Sequence, residues 1–165
     1  MKKITALVIG VLLVGTTAVY ADSSVKGTVT NNATVKNGVN SAIGKGATAN
    51  MASITMKNSN VDGTVTNNAT IEKGINSAIG EKATANMGAI TMDNANVKGT
   101  VTNNATVKNG VNSAIGKGAT ANMATVTLKN SSVDGTVTNN ATIEKGINSA
   151  IGEDASASMG SVTME

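Results

Sequence analysis

The sequence lacks cysteine, proline, histidine, tryptophan and phenylalanine, and its only aromatic residue is Tyr20. Without cysteine and histidine, the chain has no thiolate nucleophile, imidazole base, disulfide framework or ordinary zinc site. It also has no aromatic platform on which bases or sugars could stack, and all 13 of its basic residues are lysine rather than arginine. These absences argue against an enzyme. We expect no catalytic site, metal or cofactor, and neither nucleic acid nor a small-molecule substrate as partner.

The first 21 residues have the three parts of a secretory signal peptide. A basic pair, Lys2 and Lys3, precedes an apolar run over residues 4–14, and residues 19–21 (Val-Tyr-Ala) match a cleavage site. The run is shorter than a membrane span requires. We therefore expect cleavage after Ala21 and a secreted protein, located outside the cell or on its surface. Loss of the leader lowers the formal charge from +3 to +1, because two lysines are removed.

Residues 22–165 are predicted to form a single domain, which consists of one sequence unit repeated four times. The octapeptide GTVTNNAT recurs at a constant interval of 36 residues, starting at Gly27, Gly63, Gly99 and Gly135. The repeats are residues 25–60, 61–96, 97–132 and 133–165. A fixed period of this length, without linkers or insertions, is typical of a stacked array in which each repeat buries a face against the next.

Within a repeat, apolar and polar residues alternate. From Val25 to Ile43 most odd positions are apolar and most even ones are polar. This period of two, rich in Val, Ile and Thr, indicates strands with one buried face. Turns are predicted at residues 37–38 and 44–46, and a bend near residues 52–53, where the alternation shifts. The predicted core residues are Val29, Val35, Val39, Ile43, Met51, Ile54 and Met56, with their equivalents in the other repeats.

Charged residues 36 positions apart alternate in sign. From the first repeat to the fourth, the columns are Lys26, Asp62, Lys98, Asp134; Lys36, Glu72, Lys108, Glu144; Lys45, Glu81, Lys117, Glu153; and Lys57, Asp93, Lys129, Glu165. Duplication of a 72-residue block explains why repeats one and three match, but not why every charged column changes sign within the block.

The charged columns also favour one coil length over another. In a 36-residue coil, successive side chains of a column lie about 4.8 Å apart, where opposite charges attract each other. An 18-residue coil, which a weaker internal similarity allows, would separate them by about 9.6 Å, where salt screens the attraction. We therefore predict an all-β fold, a β-solenoid or cross-β stack of four 36-residue rungs in parallel register. Each rung is expected to be a folded-back serpentine layer.

Two columns of asparagine are unbroken through all four repeats. They are Asn31, Asn67, Asn103, Asn139 and Asn40, Asn76, Asn112, Asn148. Stacked asparagine side chains can form a ladder of hydrogen bonds along a cross-β structure. Asparagine also tolerates the backbone conformations of corners, and the two interpretations are compatible.

The two end rungs are predicted to complement each other. The first presents Lys26, Lys36, Lys45 and Lys57, and the fourth presents Asp134, Glu144, Glu153 and Glu165. Stacking the fourth rung of one molecule on the first rung of the next continues every alternating column. Such a heterologous contact does not close on itself and generates a filament. We expect a structural protein whose main partner is itself, assembled end to end into extracellular cross-β fibres.

The leader is followed by tandem repeats rich in Asn, Ala, Gly and Val, with segments such as residues 40–44 (Asn-Ser-Ala-Ile-Gly). In these features the sequence resembles secreted bacterial functional amyloids, especially Fap-type fibre subunits. This resemblance in composition and repeat organisation covers the whole repeat region. It implies export through an outer-membrane secretion pore, a nucleator subunit as a second partner, and a role in biofilm matrix or surface adhesion.

Two further functions stay open at this point. Residues 40–49, NSAIGKGATA, are similar to the head repeats of trimeric autotransporter adhesins, which implies an adhesin or surface-coat module. Thr28 and Thr30 recur in every repeat, and two outward columns of threonine would suit a monomeric ice-binding solenoid. Both alternatives require a protein that remains a monomer.

Overall fold

The computed structural model describes residues 24–164, in which all regular elements are β-strands. The predicted signal peptide (residues 1–21) and Glu165 lie outside the described residues. Four strands make up each 36-residue turn of the chain, which we call a rung. Equivalent strands of the four rungs align side by side, so the stack contains four parallel sheets, A to D.

Sheet A contains the long strands β1 (Ser24–Lys36), β5 (Asn60–Glu72), β9 (Asn96–Lys108) and β13 (Ser132–Glu144). Sheet B contains β2 (Val39–Ile43), β6 (Ile75–Ile79), β10 (Val111–Ile115) and β14 (Ile147–Ile151). Sheet C contains β3 (Thr48–Met51), β7 (Thr84–Met87), β11 (Thr120–Met123) and β15 (Ser156–Met159). Sheet D contains β4 (Ile54–Lys57), β8 (Ile90–Asp93), β12 (Val126–Lys129) and β16 (Val162–Met164).

Every strand pairs in parallel with the equivalent strand of the next rung, and each residue lies opposite the one 36 positions further along. Val29, for example, faces Val65. The backbone hydrogen bonds continue through the corners, where the Gly44 nitrogen donates to the Ile79 oxygen over 2.8 Å. The predicted β-solenoid of four 36-residue rungs is therefore confirmed, and the 18-residue coil is excluded.

Each rung changes direction at residues with a left-handed backbone. In the first rung these are Asn37 (φ 53°), Gly46 (φ 69°), Ala52 (φ 52°) and Asn58 (φ 49°). Glycine and asparagine adopt this conformation more readily than other residues, which explains why they mark most of the corners. The predicted turns at residues 37–38 and 44–46 and the bend at 52–53 are confirmed, whereas the corner at Asn58 was not predicted.

Apolar side chains fill the interior in three clusters. Sheet A packs against sheet D through Val65, Ile90 and their equivalents. Beside the corner that joins sheets C and D, Met87 packs against Ile71 of sheet A. Sheets B and C meet through alanine side chains, such as Ala78 and its equivalents. Small side chains let these two sheets approach closely, so they form a thin arm, while larger side chains separate sheets A and D.

The structure buries Val29, Val35, Met51, Ile54 and Met56 of the predicted core. The prediction that Val39 and Ile43 belong to the core is wrong, because these side chains are 70% and 78% exposed. The left-handed backbone at Asn37 shifts the alternation by one residue. As a result, Asn40 and Ala42 point into the arm between sheets B and C, and their neighbours in β2 point outward.

Candidate self-assembly surface

The fourth rung is the last one in the described residues, and its inward-facing side chains are exposed. Met159 and Val162 are 42% and 43% exposed, and Met164 is 71% exposed. Their equivalents in the third rung, Met123, Val126 and Leu128, are at most 2% exposed. Strands β13 to β16 are also the last strands of their sheets in the described part of the chain. The fourth rung therefore presents an apolar surface bordered by strand edges, which we call the open face.

The predicted assembly residues of the first rung are all exposed: Lys26 and Lys36 in β1, Lys45 in the turn after β2, and Lys57 at the end of β4. Those of the fourth rung are also exposed: Asp134 and Glu144 in β13, and Glu153 in the turn after β14. Glu165 lies outside the described residues. The charges thus surround the stack at its perimeter, at the ends of sheet A, at the tip of the arm and at the end of sheet D.

Within the molecule, the charged columns place opposite signs on neighbouring rungs. Lys26 lies opposite Asp62 in the strand register. Residues 24–164 contain three ion pairs of this kind: Lys45 Nζ to Glu81 Oε2 at 3.3 Å, Lys117 Nζ to Glu153 Oε2 at 3.1 Å, and Lys108 Nζ to Glu144 Oε2 at 3.7 Å. All six side chains are exposed, and exposed pairs contribute at most about 1 kcal/mol. Their main effect is on register, since a slipped or reversed stack would bring like charges together.

The structure brings each predicted asparagine column into a continuous ladder. In the first ladder, the side-chain nitrogens of Asn31, Asn67 and Asn103 donate to the side-chain oxygen of the next asparagine over 2.7, 2.9 and 2.9 Å. In the second ladder, which begins at Asn40 and ends at Asn148, the three corresponding distances are 2.8 Å. Both ladders donate in the same direction, from the first rung towards the fourth. The stack therefore has a polarity.

The second ladder also joins sheet B to sheet C. The Asn76 side-chain nitrogen donates to the backbone oxygens of Ala49 and Asn86, each over 3.0 Å. Asn112 repeats the pattern one rung further, with the backbone oxygens of Ala85 and Asn122 at 3.1 Å. Because the side chains of Asn76 and Asn112 are fully buried, these bonds offset a desolvation cost that unpaired amides would leave uncompensated.

The structure contains two more asparagine ladders that the sequence reasoning missed. One is buried, and in it Asn122 donates to Asn86 over 3.1 Å and Asn86 donates to Asn50 over 2.9 Å. The other includes Asn68, which donates to Asn32 on the outer face of sheet A over 2.7 Å. Both donate in the opposite direction to the first two ladders. Their signal was present in the sequence, because these positions also form columns with a 36-residue period.

The bend between sheets C and D creates a polar groove on the outside of the solenoid. The groove encloses about 210 Å³ and runs along the stack, lined by columns that include Thr84, Asn86 and Thr91, with Asp93 in the charged column at its side. The Oγ1 atoms of Thr91 and Thr127 are buried without a hydrogen-bond partner in the described chain. Residues 24–164 contain no group of three acidic side chains placed to hold a metal ion, and no helix long and apolar enough to cross a membrane.

No protein-family model, no curated protein and no solved structure matches the chain.

Proposed function

We propose that this chain is the subunit of a secreted structural fibre, in which the fourth rung of each molecule stacks on the first rung of the next. The observation that carries the proposal is the open face. Side chains equivalent to Met159 and Val162 are fully buried in the second and third rungs, where another rung covers them. A first rung from a second copy offers the same strand pattern, so stacking would remove apolar surface from water and pair the strand edges.

Charge supports the same joint. If a second copy continues the strand register, Lys26 lies beside Asp134, Lys36 beside Glu144, and Lys45 beside Glu153. The two residues of each pair have charges of opposite sign, as in the equivalent pairs inside the molecule. A molecule that adds in the reverse orientation would place its own acidic rung on another acidic rung. The charges therefore favour head-to-tail growth, which does not close on itself.

The asparagine ladders support the same direction of growth. Asn103 donates to Asn139 in the last step inside the molecule, and Asn31 begins the same ladder. At a head-to-tail joint, the side-chain nitrogen of Asn139 would donate to the side-chain oxygen of Asn31 in the next copy. Asn148 and Asn40 would repeat this in the second ladder. In a head-to-head joint, both sides would present the same kind of group.

The biological role rests on the leader and on the resemblance to secreted functional amyloids. The fibres would lie outside the cell, in a biofilm matrix or at an adhesive surface, with a secretion pore and a nucleator subunit as partners. Intact-mass measurement of the protein recovered from culture medium tests the first step. The expected species begins at Asp22, and a cell-retained chain that still carries residues 1–21 would contradict secretion.

The sharpest test of the joint uses Gly27. Inside the molecule, a Cβ atom on Gly63, Gly99 or Gly135 would collide with the backbone carbonyl oxygen of the equivalent glycine one rung earlier. A Cβ on Gly27 meets no atom within 4 Å. In a head-to-tail joint, Gly135 of the neighbouring copy takes the earlier position. Gly27→Ala should therefore leave the folded monomer intact, apart from about 1–3 kcal/mol of backbone strain at φ 123°, but block the joint.

The expected effect of Gly27→Ala is confined to one end of the filament. Purified Gly27→Ala should stay monomeric under conditions in which the wild type forms filaments visible by electron microscopy. Its fourth rung is unchanged, so a trace of the variant should add once to wild-type filaments, block further growth at that end and shorten them. Gly46→Ala is the matched control, because its column already contains Lys82 and Asp154 in the same left-handed conformation. Wild-type monomers that persist at high concentration would contradict the fibre, and normal growth of Gly27→Ala would contradict this joint.

A second function is favoured by the outer face of sheet A. Thr28, Thr30 and Thr34 recur in register through all four rungs, with the Asn32 ladder between them. Such a regular array of hydroxyl groups at strand spacing is a surface on which ordered water could be held, as ice binding requires. Thermal hysteresis of the monomer tests this function. A Thr28→Lys variant should abolish the effect, and wild-type protein without hysteresis would exclude it.

A further inference from the structure

Sheet B carries an exposed apolar surface that neither the core nor the proposed joint uses. Its outward residues form two aliphatic columns, Val39, Ile75, Val111, Ile147 and Ile43, Ile79, Ile115, Ile151, on either side of a serine column, Ser41, Ser77, Ser113, Ser149. We call this surface the B stripe. Even in the second rung, which has neighbours on both sides, Ile75 and Ile79 are 46% and 39% exposed. The stripe is thus not an end effect of the stack.

The B stripe is regular along the stacking axis. All residues of sheet B pair in register, so identical or near-identical side chains repeat about every 4.8 Å. Across the strand, large aliphatic side chains alternate with the small serine. A surface with this pattern is complementary to itself, because one aliphatic row of each copy can lie over the serine row of the other. Dry interfaces between paired sheets in cross-β fibres have this arrangement.

The area of the B stripe determines when it can form a stable interface. Four strands of five residues cover roughly 19 by 17 Å, or about 300 Å² for one molecule. A stable interface usually buries about 800 Å² on each partner, so two single molecules would not remain paired through their stripes. In a head-to-tail stack the stripes of successive molecules join into one continuous surface. About three stacked molecules reach the required area.

We infer that the B stripe pairs with the B stripe of a second copy, and that it joins two filaments laterally only after end-to-end growth has begun. This inference rests on the proposed head-to-tail filament and adds a second interface to it. The fibre would then consist of two protofilaments that meet through the outer faces of their B sheets. Thr28, Thr34 and the Asn32 ladder would remain on the fibre surface.

The test removes the isoleucine column without touching the joint. The variant carries Ile43→Thr, Ile79→Thr, Ile115→Thr and Ile151→Thr, which keeps β-branched residues in every strand of sheet B. The control carries Thr→Ser at an outward column of sheet A, at Thr34, Thr70, Thr106 and Thr142. Mass per length and filament width are measured by electron microscopy on the full-length secreted form of each protein.

Wild type and control should contain two chains per about 19 Å of fibre, and the isoleucine variant one chain per about 19 Å, with unchanged elongation from seeds. Paired filaments of the isoleucine variant would overturn the inference, as would wild-type filaments that are always single. Single wild-type filaments that sediment with phosphatidylcholine vesicles would instead make a lipid surface the occupant of the stripe. If the isoleucine variant fails to elongate while the control grows, the stripe belongs to the joint and the inference is wrong. Absence of wild-type filaments would defeat the proposed function itself, which is a separate result.

Discussion

The third and fourth rungs share the same inward-facing valine and methionine positions but bury these side chains to very different degrees. Val101 is fully buried, whereas its equivalent Val137 is only half-buried. Met123 is fully buried, whereas Met159 is 42% exposed. The difference comes from the number of neighbours, because an inner rung is covered on both sides and the fourth rung on one. From the second rung to the fourth, the burial of these side chains therefore depends on the rung that follows.

This comparison supports the proposed end-to-end growth. In repeat arrays, the stability of the whole is approximately the sum of weak intrinsic terms and strong interfaces between neighbours. A further copy on the open face would convert the fourth rung into an inner rung and create one more interface of the kind that the molecule already contains three times. Each half-exposed aliphatic side chain covered in this way contributes roughly 1 kcal/mol.

The largest expected effect comes from placing a side chain between two inner rungs. At Gly99, with φ 130°, a Cβ atom would collide with the backbone carbonyl oxygen of Gly63, which cannot move without breaking the strand pairing. We expect Gly99→Ala to lower the free energy of unfolding by at least about 3 kcal/mol. Gly118→Ala is the control, because a Cβ there meets only the flexible Lys82 side chain at 3.7 Å. Urea unfolding of the monomers gives both values, and similar losses would contradict rigid contact between rungs.

The second prediction compares one residue type in an inner rung and at the open face. Met123→Ala should cost the monomer about 3 kcal/mol of unfolding free energy, and Met159→Ala about 1 kcal/mol, because the cavity term requires neighbours on all sides. In the proposed fibre Met159 would gain a neighbour, so the two variants should raise the critical concentration for filament growth in different ways. Met123→Ala would act by destabilising the fold, and Met159→Ala by weakening the joint. Equal losses in the monomer would show that the open face is already covered.

The stacking register could be predicted from sequence because it depends on identity at a fixed period. Gly27, Gly63 and Gly99 recur without insertion, and the sign alternation of the charged columns makes sense only if the rungs are direct neighbours. The same reasoning located Lys26 and Asp134 on opposite ends of the stack. These features need no knowledge of how the strands are arranged within a rung.

The path within a rung could not be predicted in the same way. Val35 and Val39 keep the same odd parity across the predicted turn at residues 37–38, yet the left-handed corner at Asn37 reverses which face is inward. Its equivalents Lys73 and Lys145 adopt the same conformation, although lysine is not a residue that marks turns. The corner is held by the neighbouring rungs, since the Lys73 nitrogen donates to the Lys108 oxygen over 2.9 Å. Tertiary contacts therefore decided the placement of the B stripe.

The third prediction compares a ladder that continues on both sides with one that ends. Asn103→Ala leaves Asn67 without its acceptor and Asn139 without its donor, in a buried environment, and should cost about 2–3 kcal/mol. Asn139→Ala removes the ladder contact on one side only, at a half-buried position, and should cost about 1 kcal/mol. Thermal unfolding of the two monomers checks the order. A larger loss at Asn139 would mean that its bonds to Ala124 and Ser161 matter more than the ladder.

The smallest effect tests whether charge governs the joint between the open face and the first rung. A five-rung chain is made by adding copies of residues 94–96 and 25–60 after Glu165, and a six-rung chain by adding copies of residues 94–96 and 25–96. Signs alternate correctly inside both chains, but the five-rung chain has lysine columns at both ends, whereas the six-rung chain keeps the natural complement.

Four mismatched columns at about 0.4 kcal/mol each should slow five-rung elongation roughly tenfold at low salt. The six-rung chain should elongate as fast as the wild type, because its joint has the same charge pairs as the wild-type joint. Added salt should reduce the gap, since the charges lie in solvent at the perimeter of the stack. Light scattering from seeded solutions measures the rates. Equal rates for five and six rungs at low salt would mean that the open face joins through its apolar surface and strand edges alone, without direction from charge.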